Sequence, residues 1–192
     1  LTWKRYRPSW SRLRRRPRRD MKPVLTVDRL RELLDYDPAI GVFRWRTRHS
    51  RQRTPGQIAG GVNQKGYARI SIDGMYHQSH RLAWLHFYGE WPALIIDHIN
   101  RNKTDNRIAN LRLATISQNA ANSLGRKGKD PTQPKGITFV PKNKKWQAQI
   151  YKDGRRFYLG LYSSPEEAHD AYAGAAVDLF AQFAFCVIGT LR

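Results

Sequence analysis

A chain of 192 residues with 40% hydrophobic content can bury one ordinary core or two small ones, which excludes a protein that is disordered throughout. A single cysteine, Cys186, excludes an internal disulfide and a multi-cysteine zinc site, and it indicates a reducing compartment. No apolar run approaches the roughly 18 residues of a membrane span, and no apolar stretch follows the basic N-terminus as it would in a secretory signal.

The strongest global feature is charge, because 35 Lys and Arg residues face 15 Asp and Glu residues for a formal +20. Residues 1–20 hold nine basic residues and one acidic residue, so 26 basic and 14 acidic residues remain in 21–192, a formal +12. A polyanion is the expected partner, since each basic side chain that neutralises a phosphate releases condensed counterions. Charge that serves solubility alone is the alternative, but solubilising charge is usually smaller and more mixed.

The chain opens with a predicted disordered basic tail at residues 1–20, and Met21 is a candidate natural start because patterned sequence begins only after it. Apolar residues at helical spacing from Val27 to Leu34 predict a helix that stops before a proline. The stretch ARISIDGMYHQ predicts a hairpin turned at Asp-Gly. HRLAWLHFYG predicts a helix behind it, with Ser79 as its N-cap.

The next stretch, IIDHINRNKTDNRIANLRLATISQNAAN, predicts a strand, a second strand and a short helix capped by Ser117. Asp97 and His98 end the first strand, and Asn119 lies on the helix. Neutral His98 suits deprotonation of water, because the unperturbed pKa of histidine lies near operating pH. A hard divalent cation would accept oxygen ligands from Asp97 and Asn119 and neutralise a phosphorane. The loop asparagines 100, 102 and 106 are predicted turn residues.

A linker at residues 125–134 and a second module at residues 135–185 complete the chain. The linker combines Gly, Pro and charge without apolar periodicity. Three predicted strands and one helix follow, and Ser164 is the expected cap of that helix, with Pro and Glu behind it at the favoured positions.

The strands KWQAQIY and RRFYLGLY each alternate apolar with polar residues, so the predicted sheet has one apolar face for the Ala-rich helix. The opposite face is expected to bind DNA, since its Lys, Arg, Gln and Tyr side chains can bond phosphates and base edges. A merely solvated face is the alternative. The polar face is predicted to hold Lys145, Gln147, Gln149, Tyr151, Arg156, Tyr158 and Gly160.

Residues 26–124 resemble the HNH, or ββα-metal, endonucleases, especially phage-borne and intron-borne homing nucleases. The resemblance rests on IDHINRNKTDNRIANLRLATISQNAANS and on AGGVNQKGYARISIDG and HRLAWLHFYGEWP before it. It implies an HNH domain over residues 21–124 that uses a divalent metal, magnesium with manganese as the alternative. A lone histidine at a strand end is more often structural, but the joint motif reverses those odds.

The resemblance assigns roles by position in the motif. His98 would be the general base, and Asp97 and Asn119 would be metal ligands. Asn110, twelve residues after His98, would be the central asparagine that bonds across the motif and orients the histidine. Further along the helix, Asn122 is a candidate for a DNA contact or for support of the site.

Two residues that open a helix are also candidate DNA contacts. His80 and Arg81 stand where the first turn of a helix could hold a phosphate, and packing is the alternative for both.

The second module resembles the Apetala-2/ethylene-response-factor (ERF) DNA-binding domain through KGITFV, KKWQAQI, RRFYLGLY and SPEEAHDAYAGAA. The resemblance implies that a three-stranded sheet reads DNA, and similar domains follow HNH nucleases in phages. Thr138, Gln149, Arg156 and Tyr158 fall where that family contacts DNA. The first strand lacks the family's arginines, so its sequence preference does not carry over.

These patterns together predict an α+β fold: a ββα-metal HNH nuclease domain followed by a small three-stranded antiparallel sheet packed on one helix. The predicted function is metal-dependent hydrolysis of double-stranded DNA, with no membrane and no small-molecule substrate as partner. A monomer in the cytoplasm of a bacterium or phage-infected cell is expected from the resemblance. The alternatives are a DNA-binding regulator that does not cut and a nuclease that acts on RNA.

Overall fold

The computed structural model describes residues 24–48, 53–123 and 134–184. The predicted tail, Met21 and Cys186 lie outside the described residues, and so does the predicted linker except for Pro134. Helices and strands both occur along the described chain, which agrees with the predicted α+β class. Within those three ranges, none of the helices combines the length and the apolar content that a membrane crossing requires.

The first part of the chain forms two small antiparallel sheets and two helices. The predicted helix from Val27 is present, and so is the hairpin at Asp73-Gly74. Both turn residues have positive φ, as a tight two-residue hairpin turn requires. The element bounds are α1 Val27–Leu33, β1 Leu34–Asp37, β2 Val42–Trp45, β3 Gly61–Val62, β4 Ala68–Ile72, β5 Met75–Gln78 and α2 Ser79–Tyr88.

Helix α2 begins without the side-chain cap that the sequence predicts. Strand β5 ends at Gln78, whose extended backbone makes it the N-cap, and its side chain makes no capping hydrogen bond. Ser79 is therefore the first helical residue and is buried at the junction of strand and helix. The prediction of Ser79 as the cap is wrong because the strand runs directly into the helix.

One apolar core joins α1, α2 and the strands between them. Leu30, Leu34, Ile70 and Leu82 are almost completely buried in it. Each large apolar side chain buried in this way contributes about 1.5–3 kcal/mol relative to an exposed one. Residues 96 and 111, from the strand pair that carries the Asp-His motif, belong to the same cluster. The motif is therefore anchored on a packed base.

The Asp-His segment forms the predicted strand, strand and helix. The bounds are β6 Ile95–His98, β7 Leu111–Ala114 and α3 Ile116–Asn122. The strands are antiparallel, and α3 starts at a capping box in which Thr115 and Gln118 exchange side-chain and backbone hydrogen bonds. The prediction of Ser117 as the cap is wrong. A capping box of this kind requires a glutamine three residues after the cap, and Thr115 has that glutamine in Gln118.

Three antiparallel strands and one helix form the C-terminal part, with the middle strand in the centre of the sheet. The bounds are β8 Ile137–Val140, β9 Lys145–Lys152, β10 Arg155–Tyr162 and α4 Pro165–Phe180, followed by a 3-10 turn at Ala181–Phe183. Ser164 caps α4 as predicted, by accepting a hydrogen bond from the backbone N–H of Glu167. The helix buries Ala168 and Tyr172 against the sheet.

A β-bulge in β10 changes which side chains share a face. Tyr158 pairs with Gln149 but Gly160 pairs with Ala148, so one residue between them is extra. Beyond the bulge, Gly160 lies on the side of the buried Ala148, and Leu161 lies on the side of Gln147. The predicted faces of Gly160 and Leu161 are therefore wrong, because strict alternation does not continue through a bulge.

The two parts of the chain are packed against each other at α3. Ala114 and Ala121 share an apolar cluster with Phe180 and Phe183 of the C-terminal part. Next to this cluster, the hydroxyl of Ser117 accepts a hydrogen bond of 2.9 Å from the backbone N–H of Asp153. The modules are therefore joined by a packed interface as well as by the chain.

Lys135 reinforces the C-terminal end of α3, where Ser123 is the C-cap. Its Nζ donates hydrogen bonds to the carbonyl oxygens of Ala120, Ala121 and Ser123 at 2.7, 2.8 and 3.0 Å. The last carbonyls of a helix lack intrahelical partners, and a cation there also favours the helix dipole. A residue of the second module thus stabilises the last helix of the first.

Gly136 provides a test of how the C-terminal module packs. Its φ is +83°, and a Cβ at this position would clash with the ring of Tyr172. We expect Gly136→Ala to lower the free energy of unfolding by about 3 kcal/mol, from strain and clash together. Gly154, with φ +78° and open space around it, is the matched control and should lose only about 1 kcal/mol as Gly154→Ala. Urea unfolding measures both, and equal losses would contradict the packing at Tyr172.

Candidate active site

The carboxylate of Asp97 is the most constrained group in the strand-strand-helix unit. Asp97 is only 4% exposed and pairs across the two strands with Arg112. Arg112 Nε donates to Asp97 Oδ2 at 2.9 Å, and Nη2 lies 2.8 Å from the same oxygen as an ion pair. From α3, Asn122 Nδ2 lies 3.0 Å from each carboxylate oxygen and donates to the carbonyl of His98 at 2.9 Å. Strand and helix are thus joined at the carboxylate.

The two oxygens of this carboxylate differ in how many donors they face. Among the described residues, Oδ2 accepts from Arg112 Nε and Asn122 Nδ2 and lies 2.8 Å from Arg112 Nη2, whereas Oδ1 contacts Asn122 Nδ2 alone. A carboxylate oxygen has two acceptor positions, so Oδ2 is saturated and Oδ1 retains an open one. Oδ1 is therefore the oxygen of Asp97 that can take a further ligand.

His98 is buried beside Asp97, and within the described part of the chain its side chain has one hydrogen-bond contact, with Asn106. His98 Nε2 lies 3.4 Å from Asn106 Oδ1, and Asn106 Nδ2 donates to the carbonyl of Thr104 at 3.1 Å. Because that amide oxygen can only accept, Nε2 carries the hydrogen and Nδ1 is left as the proton acceptor. Burial lowers the pKa of His98, with the Asn106 contact acting in the opposite direction. The imidazole is therefore a neutral base at pH 7.

Sequence reasoning missed the role of Asn106. As predicted, Asn100 and Asn102 make turns by accepting hydrogen bonds from the backbone N–H two residues on. Asn106, grouped with them as a turn residue, is instead 3% exposed and faces the histidine. The prediction for Asn106 is wrong, and an Asn-rich loop alone gives no signal that one amide turns inward.

Asn110 closes the loop that carries Asn106. Its Nδ2 donates to Asn100 Oδ1 at 3.0 Å and to the carbonyl of Asp105 at 2.9 Å. Its Oδ1 accepts from the backbone N–H of Asn100 at 3.0 Å. Asn110 thus bonds across the loop between β6 and β7, and its connection to His98 runs through that loop.

His80 lies against His98, with ring centroids 5.0 Å apart in an edge-to-face arrangement. Its buried Nδ1 has no hydrogen-bond partner among the residues that the structure describes, and burial lowers the pKa of His80 to about 3. The neutral, buried ring of His80 therefore packs against the imidazole of His98. The neighbouring Arg81 is half-buried, with its guanidinium 5.7 Å from the ring centroid of Trp91.

Asn119 stands apart from the groups that bond to Asp97. It is exposed on α3, one turn before Asn122, and the side-chain partners of the carboxylate are Arg112 and Asn122. Asp97, His98 and Asn122 are thus brought together, whereas the side chain of Asn119 makes no hydrogen bond to them. No group of three or more His, Cys, Asp and Glu side chains that could hold a metal occurs in the described ranges.

The candidate DNA contacts of the C-terminal sheet lie on the face away from α4. Gln147 pairs with Thr138 on one side of β9, and Gln149 pairs with Tyr158 on the other. Paired residues in an antiparallel sheet share a face, so all of these side chains point the same way. The members of this polar face are Thr138, Lys145, Gln147, Gln149, Tyr151, Arg156 and Tyr158, with Leu161 added by the bulge.

Comparison with known proteins agrees with this geometry. Residues 77–121 match the family model of the HNH endonucleases, and they include β6, β7 and most of α3. This segment is an HNH endonuclease domain. The HNH domain holds Asp97, His98, Asn110 and Asn119, the residues to which the sequence motif assigns catalytic and metal-binding roles.

A viral protein is similar to this chain over more residues than the segment that matches the HNH family model. An uncharacterized HNH endonuclease of Acanthamoeba polyphaga mimivirus is 32% identical over 125 residues. The match covers 64% of this chain and 63% of that relative, so the chain spans less than two thirds of the relative's length. No solved structure matches the chain.

The two asparagines of α3 provide a test of the site geometry. Asn122→Ala removes all donors from Asp97 Oδ1 and one from the His98 carbonyl, so we expect a loss of about 2–3 kcal/mol in unfolding free energy. Asn119→Ala, the same change one turn earlier on an exposed position, should stay within about 0.5 kcal/mol. Urea unfolding of both variants measures the difference. A larger loss for Asn119→Ala would mean that the helix is rotated from the orientation described above.

Proposed function

We propose that the protein is a metal-dependent DNA endonuclease of the homing type that hydrolyses phosphodiester bonds. The observation that carries the proposal is the buried Asp97–His98 pair within a segment that matches the HNH family. The formal charge of +20 supports a polyanionic substrate. The likeness to homing nucleases supports duplex DNA as that substrate.

In the proposed reaction, His98 is the general base. Its neutral imidazole accepts a proton from water at Nδ1, because Nε2 is occupied by Asn106. The water oxygen attacks phosphorus, the bond to the 3′ oxygen breaks, and the leaving oxygen takes up a proton to become a hydroxyl. The products are a 5′-phosphate and a 3′-hydroxyl end. Asn110 supports this step indirectly, by fixing the loop from which Asn106 reaches the histidine.

The donor set of the site suits a hard divalent cation. Asp97 Oδ1 has an open acceptor position, and Asn119 carries an amide oxygen on the neighbouring helix. Magnesium is the proposed ion and manganese the alternative, since such ions accept one or two protein oxygens together with substrate phosphate and water. When bound, the cation supplies positive charge that stabilises the phosphorane and the leaving 3′ oxygen.

The C-terminal sheet is the proposed DNA-reading surface, an assignment supported by its likeness to the Apetala-2/ERF domain. The polar face defined above offers Lys, Arg, Gln and Tyr side chains without an acidic residue. Such side chains bond both phosphates and base edges. Binding by this face would raise the concentration of DNA at the HNH site.

Plasmid cleavage tests the reaction directly. With magnesium or manganese we expect nicking or linearisation that EDTA abolishes and that His98→Ala slows by about 10²–10⁴-fold, the usual contribution of a general base. His169→Ala, a histidine on α4 outside the HNH domain, is the matched control and should retain activity. If wild type and His98→Ala both bind DNA and neither cuts, the protein is a binding regulator. Cleavage of RNA in place of duplex DNA would identify an RNA nuclease.

Two neighbouring arginines test the reading surface. Arg156 lies on the polar face and Arg155 on the opposite one, since successive residues of a strand alternate. We expect Arg156→Ala to weaken duplex binding by about 1–3 kcal/mol. The slope of the logarithm of the binding constant against the logarithm of the salt concentration should fall by about one. Arg155→Ala should change the affinity less than about twofold. Fluorescence anisotropy at several salt concentrations measures both, and equal effects would show that the face does not bind DNA specifically.

A further inference from the structure

Arg112, the partner of Asp97, is held by the C-terminal module on its other side. Its Nη1 donates to the carbonyl oxygen of Gln182 at 2.7 Å. Its guanidinium carbon lies 3.9 Å from the ring centroid of Phe183, close enough for a cation–π contact. The side chain of Arg112 is only 14% exposed, so this bridge between the modules is largely shielded from water. Residues 182 and 183 thus reach the HNH site through one arginine.

The segment that holds Arg112 is itself well anchored. Phe183 ends the 3-10 turn that follows α4, and it is 8% exposed within the cluster that contains Ala114 and Ala121. The hydrogen bond from Asp153 to Ser117 and the bonds from Lys135 to the end of α3 fix the same interface at two further points. The position of the Phe183 ring is therefore set by the docked module.

The geometry of the Arg112–Asp97 pair has a chemical consequence. An arginine and a carboxylate often pair through two parallel bonds that use both carboxylate oxygens. Here Nε and Nη2 converge on Oδ2 alone, while Nη1 is directed to Gln182. If Arg112 were released from Phe183 and Gln182, it could turn toward Oδ1 and compete with a cation for that oxygen.

We propose that the C-terminal module completes the nuclease site, with Phe183 and Arg112 as positioning residues that keep Asp97 Oδ1 open for the cation. This inference rests on the proposed function, because it assigns a role in that reaction. The module then does more than bind DNA: its docked state sets the orientation of the catalytic-site carboxylate.

The main measurement is manganese binding by the 192-residue chain in the absence of DNA. Phe183→Leu removes the ring but keeps an apolar side chain of similar size, and Arg112→Lys keeps the charge but loses the planar fork. Phe157→Leu is the matched control, since Phe157 lies in the same module and is exposed on β10. Free manganese is followed by its electron paramagnetic resonance signal, and plasmid cleavage and the melting temperature are measured in parallel.

We expect Phe183→Leu and Arg112→Lys each to weaken manganese binding roughly fivefold, the effect of losing one shielded cation–π contact. Cleavage at limiting metal should fall by a similar factor, while Phe157→Leu matches wild type. The double variant should lose less than the product of the single losses, because both changes act through one contact.

Several outcomes would overturn the inference. These are wild-type manganese binding in Phe183→Leu, equal losses in Phe183→Leu and Phe157→Leu, and fully multiplicative losses in the double variant. If Phe183→Leu does not fold, Arg112→Lys decides, and wild-type manganese binding in that variant overturns the inference. If wild type cuts no nucleic acid, the proposed function fails, and manganese binding still decides whether the module positions Asp97.

Discussion

The structure of the site depends on the partners of one buried carboxylate. Asp97 is almost fully buried between the strand pair and α3, and an unpaired charge there would cost several kcal/mol. Arg112 provides the countercharge and Asn122 the hydrogen bonds, so β7 and α3 are both held to β6 at the same point. The backbone carbonyl of His98 is fixed by the same amide, which couples the placement of His98 to that of the carboxylate.

Much of this arrangement could be predicted from the sequence. The strands and the short helix follow from alternation and spacing, and the Asp-His motif identifies the nuclease domain. The start of α4 also carries a readable signal, since the helix begins directly after Ser164 of the Ser-Pro-Glu-Glu sequence. These features are local, because each depends on residues within one or two turns of one another.

The features that the sequence did not reveal depend on distant contacts or on local irregularity. Asn106 faces His98 only because the loop is closed by Asn110, and the loop asparagines look alike in the sequence. The bulge in β10 shifts Gly160 and Leu161 to the opposite faces, although the residue types still alternate. The bridge from Arg112 to Phe183 joins residues that are far apart in the chain, and no pattern in either segment points to the other.

The hydrogen bonds from Lys135 to the end of α3 have a consequence for how the protein melts. The helix that carries Asn122 ends in carbonyl groups that are satisfied by the second module, and its inner side shares that module's apolar cluster. Separation of the modules would expose Phe183 and remove the Lys135 hydrogen bonds from the carbonyl groups of Ala120, Ala121 and Ser123. The HNH domain and the sheet module are therefore expected to unfold in one cooperative transition, rather than as two independent domains joined by a flexible tether.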